Sequence, residues 1–334
     1  MLSFLQKMRV KAALRKPIPE FRLAPVDSYA PVRVYEDTVE YSIRNAMCGV
    51  HVFSLPRSSG KTIVAQRVAN KLFREHHTSG TVYVSLYTDV GSPGERVSIS
   101  SVLAAKLGVD GRLLFNQDSA LSLLPADATA GKPVVFIVDD ADAVIAGDEH
   151  LCVDLAGLAA TSVLGKRFCV LLLLGPDTAR LVCSWNGGQK IRLASDFRGA
   201  NARSFRPTEK EIDLAVLKQD LRVLSRDDVQ MFQRLCRRVR SVGFVAEGAG
   251  RLKAIAAMRA AEEALLLPSP HSQPDTVPMD VPAVMPGQAI CMDPQPALSF
   301  VETSLHDLVQ QFEGGWQQWL RTILCRTPGR GFDK

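Results

Sequence analysis

The feature that most constrains the fold is the triplet Gly60-Lys61-Thr62, which lies between a strand-like and a helix-like segment. The apolar run Gly49–Ser54 precedes the triplet, and Lys61–Arg74 carries apolar residues at helical spacing. A phosphate-binding loop requires this context, because the backbone N–H groups of a tight loop and the positive end of the following helix converge on phosphate. The sequence therefore predicts a P-loop.

The loop residues have distinct expected roles. Gly60 lets the backbone approach the ligand closely, Lys61 neutralises the β- and γ-phosphates, and Thr62 holds Mg²⁺ through its hydroxyl. Leu55 departs from the usual pattern, since it stands where the first glycine of a P-loop normally lies. The residues expected to bind nucleotide here are Pro56, Arg57, Ser58, Ser59, Gly60, Lys61 and Thr62. The sequence has no Asn-Lys-x-Asp motif for guanine, so ATP is expected rather than GTP.

A second apolar run, Val134–Asp139, ends in an acid that is followed directly by Asp140. An acid at the end of a strand beside a P-loop supplies the second contact to Mg²⁺, and Asp139 is expected there. Asp140 is expected to orient or deprotonate the attacking water. The alternative is that Asp140 only caps a helix.

Strand and helix patterns alternate up to about residue 205, after which only helical patterns follow. This order predicts an α/β fold, with a parallel sheet covered by helices on both faces, followed by a small helical lid, a Pro-rich linker and a C-terminal helix. The expected boundaries are 1–34 for a basic N-terminal arm, 35–207 for the P-loop ATPase core, 208–267 for the lid, 268–297 for a flexible linker and 298–326 for an amphipathic helix.

With the P-loop and Asp139-Asp140, the sequence resembles the AAA+ ATPases over roughly residues 35–265. The likeness is to the branch that contains origin-recognition ATPases and the ATPase regulators of DNA transposition. The resemblance implies hydrolysis of the β–γ phosphoanhydride of ATP. It also implies assembly of the chain with copies of itself.

The resemblance assigns further candidate residues. Asp177 or Thr178, after the fourth core strand, would sense the γ-phosphate. Arg198 would be the arginine finger that reaches a neighbouring subunit's nucleotide, with Arg203 as the reserve. Arg251, after a Gly-containing turn, would be a second sensor. Each arginine has the alternative of a plain surface position.

Two basic segments favour non-specific binding of duplex DNA, in which case the protein would recruit or regulate a partner enzyme such as a transposase. The net charge is +5, and residues 1–16 hold five basic side chains and no acid. Arg234, Arg237 and Arg238 fall on one face of a predicted helix. The alternative is that both segments are ordinary solvated faces.

The C-terminal segment favours a different function, a nucleotide-gated signalling or scaffolding protein with slow or no hydrolysis. Its apolar residues, from Val301 to Ile323, step by three or four and form a stripe. This helix would dock either on a protein partner or on its own domain. Gly314-Gly315 would kink or split it.

The seven cysteines are scattered and never spaced as Cys-x-x-Cys, which favours a reducing compartment and argues against a zinc site. No apolar run approaches the ~18–20 residues of a membrane span. The expected location is cytoplasmic, nucleoid-associated if bacterial. The basic N-terminus leaves organelle import open.

Overall fold

A computed structural model gives the structure of most of the chain. The described residues are 4–14, 31–45, 49–86, 98–108, 132–147, 150–165, 168–184, 191–193, 205–266 and 300–324. The predicted linker 268–297 and the two candidate fingers, Arg198 and Arg203, lie outside the described residues.

Strands and helices alternate in the order that the sequence predicts. The strands are β1 Gly49–Ser54, β2 Gly80–Ser85, β3 Val134–Asp139, β4 Phe168–Leu174 and β5 Ile191–Leu193. The helices are α1 Phe4–Leu14, α2 Arg33–Asn45, α3 Lys61–Arg74, α4 Ile99–Lys106, α5 Asp142–Gly147, α6 His150–Gly165, α7 Pro176–Ser184, α8 Glu209–Leu217, α9 Arg226–Val239, α10 Val242–Leu266 and α11 Phe300–Leu324.

The five strands form one parallel sheet in the order β2-β3-β4-β1-β5. Val52 on β1 pairs with Leu172 on β4 and with Leu193 on β5, so β1 is an interior strand and β4 is the central one. Strand β4 separates β1 from the acidic strand β3. Because parallel strands end at the same edge, the sheet brings the loops after β1, β3 and β4 side by side. The α/β prediction is confirmed.

The sheet is buried on both faces, as its continuous apolar runs predict. Along β3, Val135 and Ile137 face one apolar cluster, and Val134, Phe136 and Val138 face the other. The first cluster contains α2, α3, the three helices α8–α10 and α11. The second contains α1, α4 and α6. The helices after the core therefore share one face of the sheet with the P-loop helix.

Helix α1 packs on the domain through its C-terminal half. Val10 and Leu14 are buried, whereas Leu5 and Met8 are exposed. A Cβ built at Gly80, the first residue of β2, would lie 2.6 Å from the Leu14 carbonyl oxygen, so helix and strand approach closely. The C-terminal half of α1 therefore makes its contact with the domain.

Helix α11 lies on the chain's own core. Leu305, Phe312, Trp316 and Trp319 are at most 5% exposed and belong to the first cluster. Of the two placements that the sequence leaves open, docking in cis is the one found, and this apolar stripe is not a free surface for a partner. The helix also continues through Gly314-Gly315 without being split. No helix in the described ranges is long and apolar enough to cross a bilayer.

Candidate nucleotide-binding site

The loop between β1 and α3 has the backbone expected of a phosphate-binding turn. Ser58 and Gly60 have positive φ values of 56° and 86°, and the Ser59 hydroxyl donates a 2.6 Å hydrogen bond to the Pro56 carbonyl oxygen. Turns that alternate in this way gather backbone N–H groups into a concave, anion-binding surface. Leu55 is fully buried in the core, which explains the missing glycine: this position completes the packing of β1.

Lys61 begins α3 and turns back over the loop. Its ammonium donates to the carbonyl oxygens of Leu55 at 3.0 Å and Pro56 at 3.3 Å. Desolvation by the surrounding protein lowers the pKa of Lys61, and the nearby carboxylates of Asp142 and Asp139 partly oppose that shift. A cation held in this setting gains much from an anionic ligand, because the ligand replaces the lost hydration.

Thr62 and Asp139 form the proposed metal pair. The Thr62 hydroxyl donates a 2.5 Å hydrogen bond to Asp139 Oδ2, and the Tyr83 hydroxyl donates to the same oxygen at 3.1 Å. Burial raises the pKa of Asp139, and the hydrogen bonds from Thr62, the backbone of Asp140 and Tyr83 oppose that rise. A hydroxyl and a carboxylate in contact at the end of the loop are the oxygen donors that Mg²⁺ prefers, so these residues fit the metal.

Asp140 holds an unusual backbone conformation beside this pair. Its φ is +54°, a left-handed value that Asp and Asn adopt more readily than most residues. Its N–H donates to Asp139 Oδ1 at 2.9 Å, and its carboxylate accepts a 2.7 Å hydrogen bond from the Ser85 hydroxyl at the end of β2. The side chain is exposed and lines the cavity described below, where a water could approach it.

A third carboxylate, Asp142, was not among the residues predicted for the site. Asp142 Oδ1 accepts a 2.8 Å hydrogen bond from the backbone N–H of Gly175, the residue after β4. Asp142 therefore ties the end of β4 to the start of α5, next to Lys61. The sequence contains a signal for this residue: in the run Asp139-Asp140-Ala141-Asp142, Asp142 is a third acid just after the end of β3.

These residues line one cavity of about 1450 Å³. Its walls come from the P-loop, from the three carboxylates, from the residues after β4 and from the first turns of α10, including Val242, Gly243, Ala246 and Glu247. The volume exceeds the roughly 300–1,000 Å³ of a small-molecule site, so a nucleotide has room. Residues that follow β1, β3 and β4 thus line the same cavity as residues of α10.

Helix α10 touches the P-loop directly. A Cβ built at Gly243, in the first turn of α10, would lie 1.4 Å from the carbonyl oxygen of Ser58, well inside van der Waals contact. Only glycine permits this approach of helix and loop. The lid therefore lies closed against the loop in this conformation.

Two predicted nucleotide contacts lie away from the cavity. Asp177 is in the first turn of α7, where its carboxylate accepts a 2.6 Å hydrogen bond from Gln318 of α11. Arg251 on α10 pairs with Asp307 of α11 at 2.8 Å. Neither residue lines the cavity, whose wall after β4 consists of Gly175 and Pro176. In this conformation both predicted sensors contact α11 instead.

The predicted basic stripe on α9 is largely engaged within the chain. Arg237 pairs with Asp213 at 2.8 Å, and Arg238 pairs with Glu313 of α11 at 2.7 Å. Arg234 is exposed. Exposed ion pairs are weak, but each one offsets a positive charge that a phosphate backbone would otherwise meet. The helix face therefore presents less free charge than its sequence suggests.

No protein family matches the sequence, and no curated protein matches it. Among solved structures, the chain is similar to the Aeropyrum pernix ORC2 protein in its ADPNP-ADP complexes, with a TM-score of 0.43 and 15% sequence identity. The match covers 76% of this chain and 67% of that chain.

Proposed function

We propose that this protein binds ATP with Mg²⁺ and works as an ATP-driven switch that assembles with copies of itself. One observation carries the proposal. Lys61, Thr62 and Asp139 come together at the loop after β1, in a cavity that the first turns of α10 line. A charged amine, a hydroxyl and a carboxylate in this order match the phosphates and the metal of a nucleotide.

Each residue has a defined task in binding. The loop backbone and the start of α3 hold the phosphates, and Lys61 exchanges its bonds to two loop carbonyls for bonds to phosphate oxygens. Thr62 and Asp139 hold Mg²⁺ through their oxygens. When bound, Mg²⁺ neutralises charge on the β- and γ-phosphates.

Hydrolysis is assigned to the exposed carboxylate of Asp140. It would orient the attacking water or accept its proton, and the Ser85 hydroxyl fixes its direction through the 2.7 Å hydrogen bond. Most P-loop ATPases that this sequence resembles use Glu here, and Asp is one methylene shorter. Slow turnover is therefore expected, which suits a switch better than a motor.

The proposal also includes assembly of the protein with copies of itself and contact with DNA. Arg198, with Arg203 as the reserve, would complete the site of a neighbouring copy in trans. The basic residues of the N-terminal arm support non-specific contact with duplex DNA, and the recruited partner would be an enzyme of DNA rearrangement. The scattered cysteines support a reducing, cytoplasmic setting.

Light scattering tests the switch. The protein is measured without nucleotide, with ADP and with a non-hydrolysable ATP analogue, each with and without duplex DNA. Growth into larger assemblies only with the ATP analogue supports the switch, and further growth with DNA supports the DNA contact. A monomer in every condition rejects assembly and leaves a nucleotide-gated binding module.

A further inference from the structure

Helix α11 contacts both the end of β1 and the loop that follows it. The indole Nε1 of Trp319 donates a 3.0 Å hydrogen bond to the carbonyl oxygen of Ser54, the last residue of β1 before the loop. A Cβ built at Gly315 would lie 3.7 Å from the Cβ of Pro56, within ordinary van der Waals contact. The C-terminal helix thus meets both the strand that presents the loop and the loop itself.

We propose that α11 is a working part of the nucleotide site, and that Trp319 is a positioning residue that sets the orientation of the P-loop. This inference rests on the proposed binding of nucleotide. It assigns a role to a helix that enters the fold after residues 267–299, and no sequence motif marks that role.

Trp319 is held rigidly enough to act as an anchor. It is 1% exposed, its ring stacks on Phe205 with centroids 5.5 Å apart and planes 20° apart, and it meets Trp316 edge to face at 5.4 Å. Stacked and edge-to-face pairs fix the ring plane, and the plane fixes the direction of the N–H. The hydrogen bond therefore favours one orientation of the Ser54 carbonyl group, and with it one orientation of the loop that begins at the next residue.

A second contact joins α11 to the neighbouring strand end. Gln318, the residue before Trp319, donates a 2.6 Å hydrogen bond to Asp177 in the first turn of α7. Gly175 and Pro176, directly before Asp177, line the cavity. Consecutive residues of α11 therefore hold the ends of β1 and β4, which flank the phosphates in the proposed site.

The same helix is bonded to the lid. Asp307 pairs with Arg251 of α10 at 2.8 Å, and Glu313 pairs with Arg238 of α9 at 2.7 Å. Helix α11 thus bridges the lid, through exposed ion pairs, and the P-loop, through the buried hydrogen bond of Trp319. A ligand that moves α10 relative to the loop also changes the contacts of α11. Because such coupling is reciprocal, a change in α11 alters the affinity for that ligand.

Trp316 provides a matched control on the same helix. It is fully buried like Trp319, but its Nε1 has no hydrogen-bond partner among the residues that the structure describes. Trp316→Phe therefore removes ring area without removing a hydrogen bond, and it keeps an aromatic ring against Trp319 and against the Arg206 guanidinium, which lies 5.1 Å from the Trp316 ring centroid. Trp319→Phe removes similar area, keeps a ring to stack on Phe205, and also leaves the Ser54 carbonyl without its donor.

The test compares the full-length parent with these two variants. Affinity for a fluorescent ATP analogue with Mg²⁺ is measured well below the unfolding temperature, and thermal unfolding is recorded for each protein. We expect Trp319→Phe to weaken affinity by about three- to tenfold, the value of one hydrogen bond, and Trp316→Phe to stay within about twofold of the parent. Equal affinities in all three proteins would overturn the proposal, because lost packing alone lowers stability without changing affinity at low temperature.

Hydrogen exchange of the parent gives a test that needs no variant. Saturation with ATP analogue should slow the exchange of residues 300–324, since a ligand that uses α11 stabilises it in return. If the parent binds nucleotide and exchange in this segment is unchanged, α11 has no part in the site. If the parent binds no nucleotide at all, the proposed function itself fails, and the two failures are thus distinguishable.

Discussion

The hydroxyl of Thr62 donates a 2.5 Å hydrogen bond to Asp139 Oδ2, although 77 positions separate the two residues. This contact joins the first turn of α3 to the end of β3 across the intervening strand β4. It places the two oxygen groups that would hold a metal at one edge of the sheet. Both must exchange this mutual bond for bonds to Mg²⁺, so metal binding should be sensitive to the charge of Asp139.

We predict that the gain in ATP affinity caused by Mg²⁺ decreases as the pH is lowered. The decrease should begin at a higher pH than it would if the pKa of Asp139 were that of an ordinary aspartate. Burial raises the pKa of Asp139, so the folded protein protonates this carboxyl before the unfolded chain does. A proton on Asp139 competes with the metal and so weakens Mg²⁺ binding. Without ligand, protonation of Asp139 stabilises the folded protein, because in this pH range the folded state binds more protons than the unfolded state.

Titration calorimetry at a series of pH values, with and without Mg²⁺, measures this effect. Asp139→Asn should bind nucleotide with little dependence on Mg²⁺ and should lose the acidic fall. A parent whose Mg²⁺ dependence is constant from neutral pH down to the range of an ordinary aspartate would contradict the assignment of Asp139.

Asp140→Asn should keep ATP binding and lose turnover. Asn tolerates the left-handed backbone at this position and still accepts the hydrogen bond from Ser85, but it takes up no proton from water. Loss of a general base costs about 10²–10⁴ in rate, and the ATP-bound assembly should accumulate. Phosphate release and light scattering check the two effects.

Asp142→Asn is the comparison for that experiment. Its amide oxygen can still accept from the Gly175 N–H, so the end of β4 keeps its place. We expect this variant to retain most of the turnover. If Asp142→Asn abolishes hydrolysis while Asp140→Asn leaves it intact, the base is Asp142, and the assignment to Asp140 is wrong.

Gly243→Ala should separate the lid from the P-loop. The new Cβ would lie 1.4 Å from the Ser58 carbonyl oxygen, so α10 must shift, at a cost of about 1–3 kcal/mol typical of overpacking. We expect a lower unfolding temperature and weaker ATP binding. Scanning calorimetry and titration with the ATP analogue measure both.

Gly250→Ala serves as the matched control on the same helix. A Cβ there meets no atom of the described residues within 4 Å, and alanine favours a helix over glycine by about 0.5–1 kcal/mol. This variant should be at least as stable as the parent and bind ATP equally well. A parent-like Gly243→Ala would show that the close contact between α10 and the loop does not hold in solution.

The sequence was informative where local chemistry decides the structure. Helix α3 runs from Lys61 to Arg74 as its periodicity predicts. The buried runs of β3 and β4 also predict parallel strands, because a strand covered on both faces has no polar alternation. These signals lie within a few consecutive residues, so a single sequence contains them.

The sequence was uninformative where distant segments meet. Trp319 shows helical spacing, but nothing near it in sequence indicates that its indole reaches Ser54. Arg251 resembles a sensor because it follows Gly248 and Gly250, but these glycines lie within the continuous helix α10, and its partner Asp307 is 56 positions away. Such contacts depend on how α11 docks, and helical periodicity gives the buried face without naming the surface that covers it.

The most direct test of nucleotide binding is calorimetric titration of ATP with Mg²⁺ into the parent, Lys61→Ala and Lys210→Ala. Lys61 is held at the loop by two carbonyl oxygens, whereas Lys210 is exposed on α8, outside the cavity. Removing a charge that pairs with phosphate in a desolvated site should weaken binding by at least about 30-fold, with Lys210→Ala equal to the parent. If Lys61→Ala binds ATP as tightly as the parent does, the loop between β1 and α3 is not the nucleotide site.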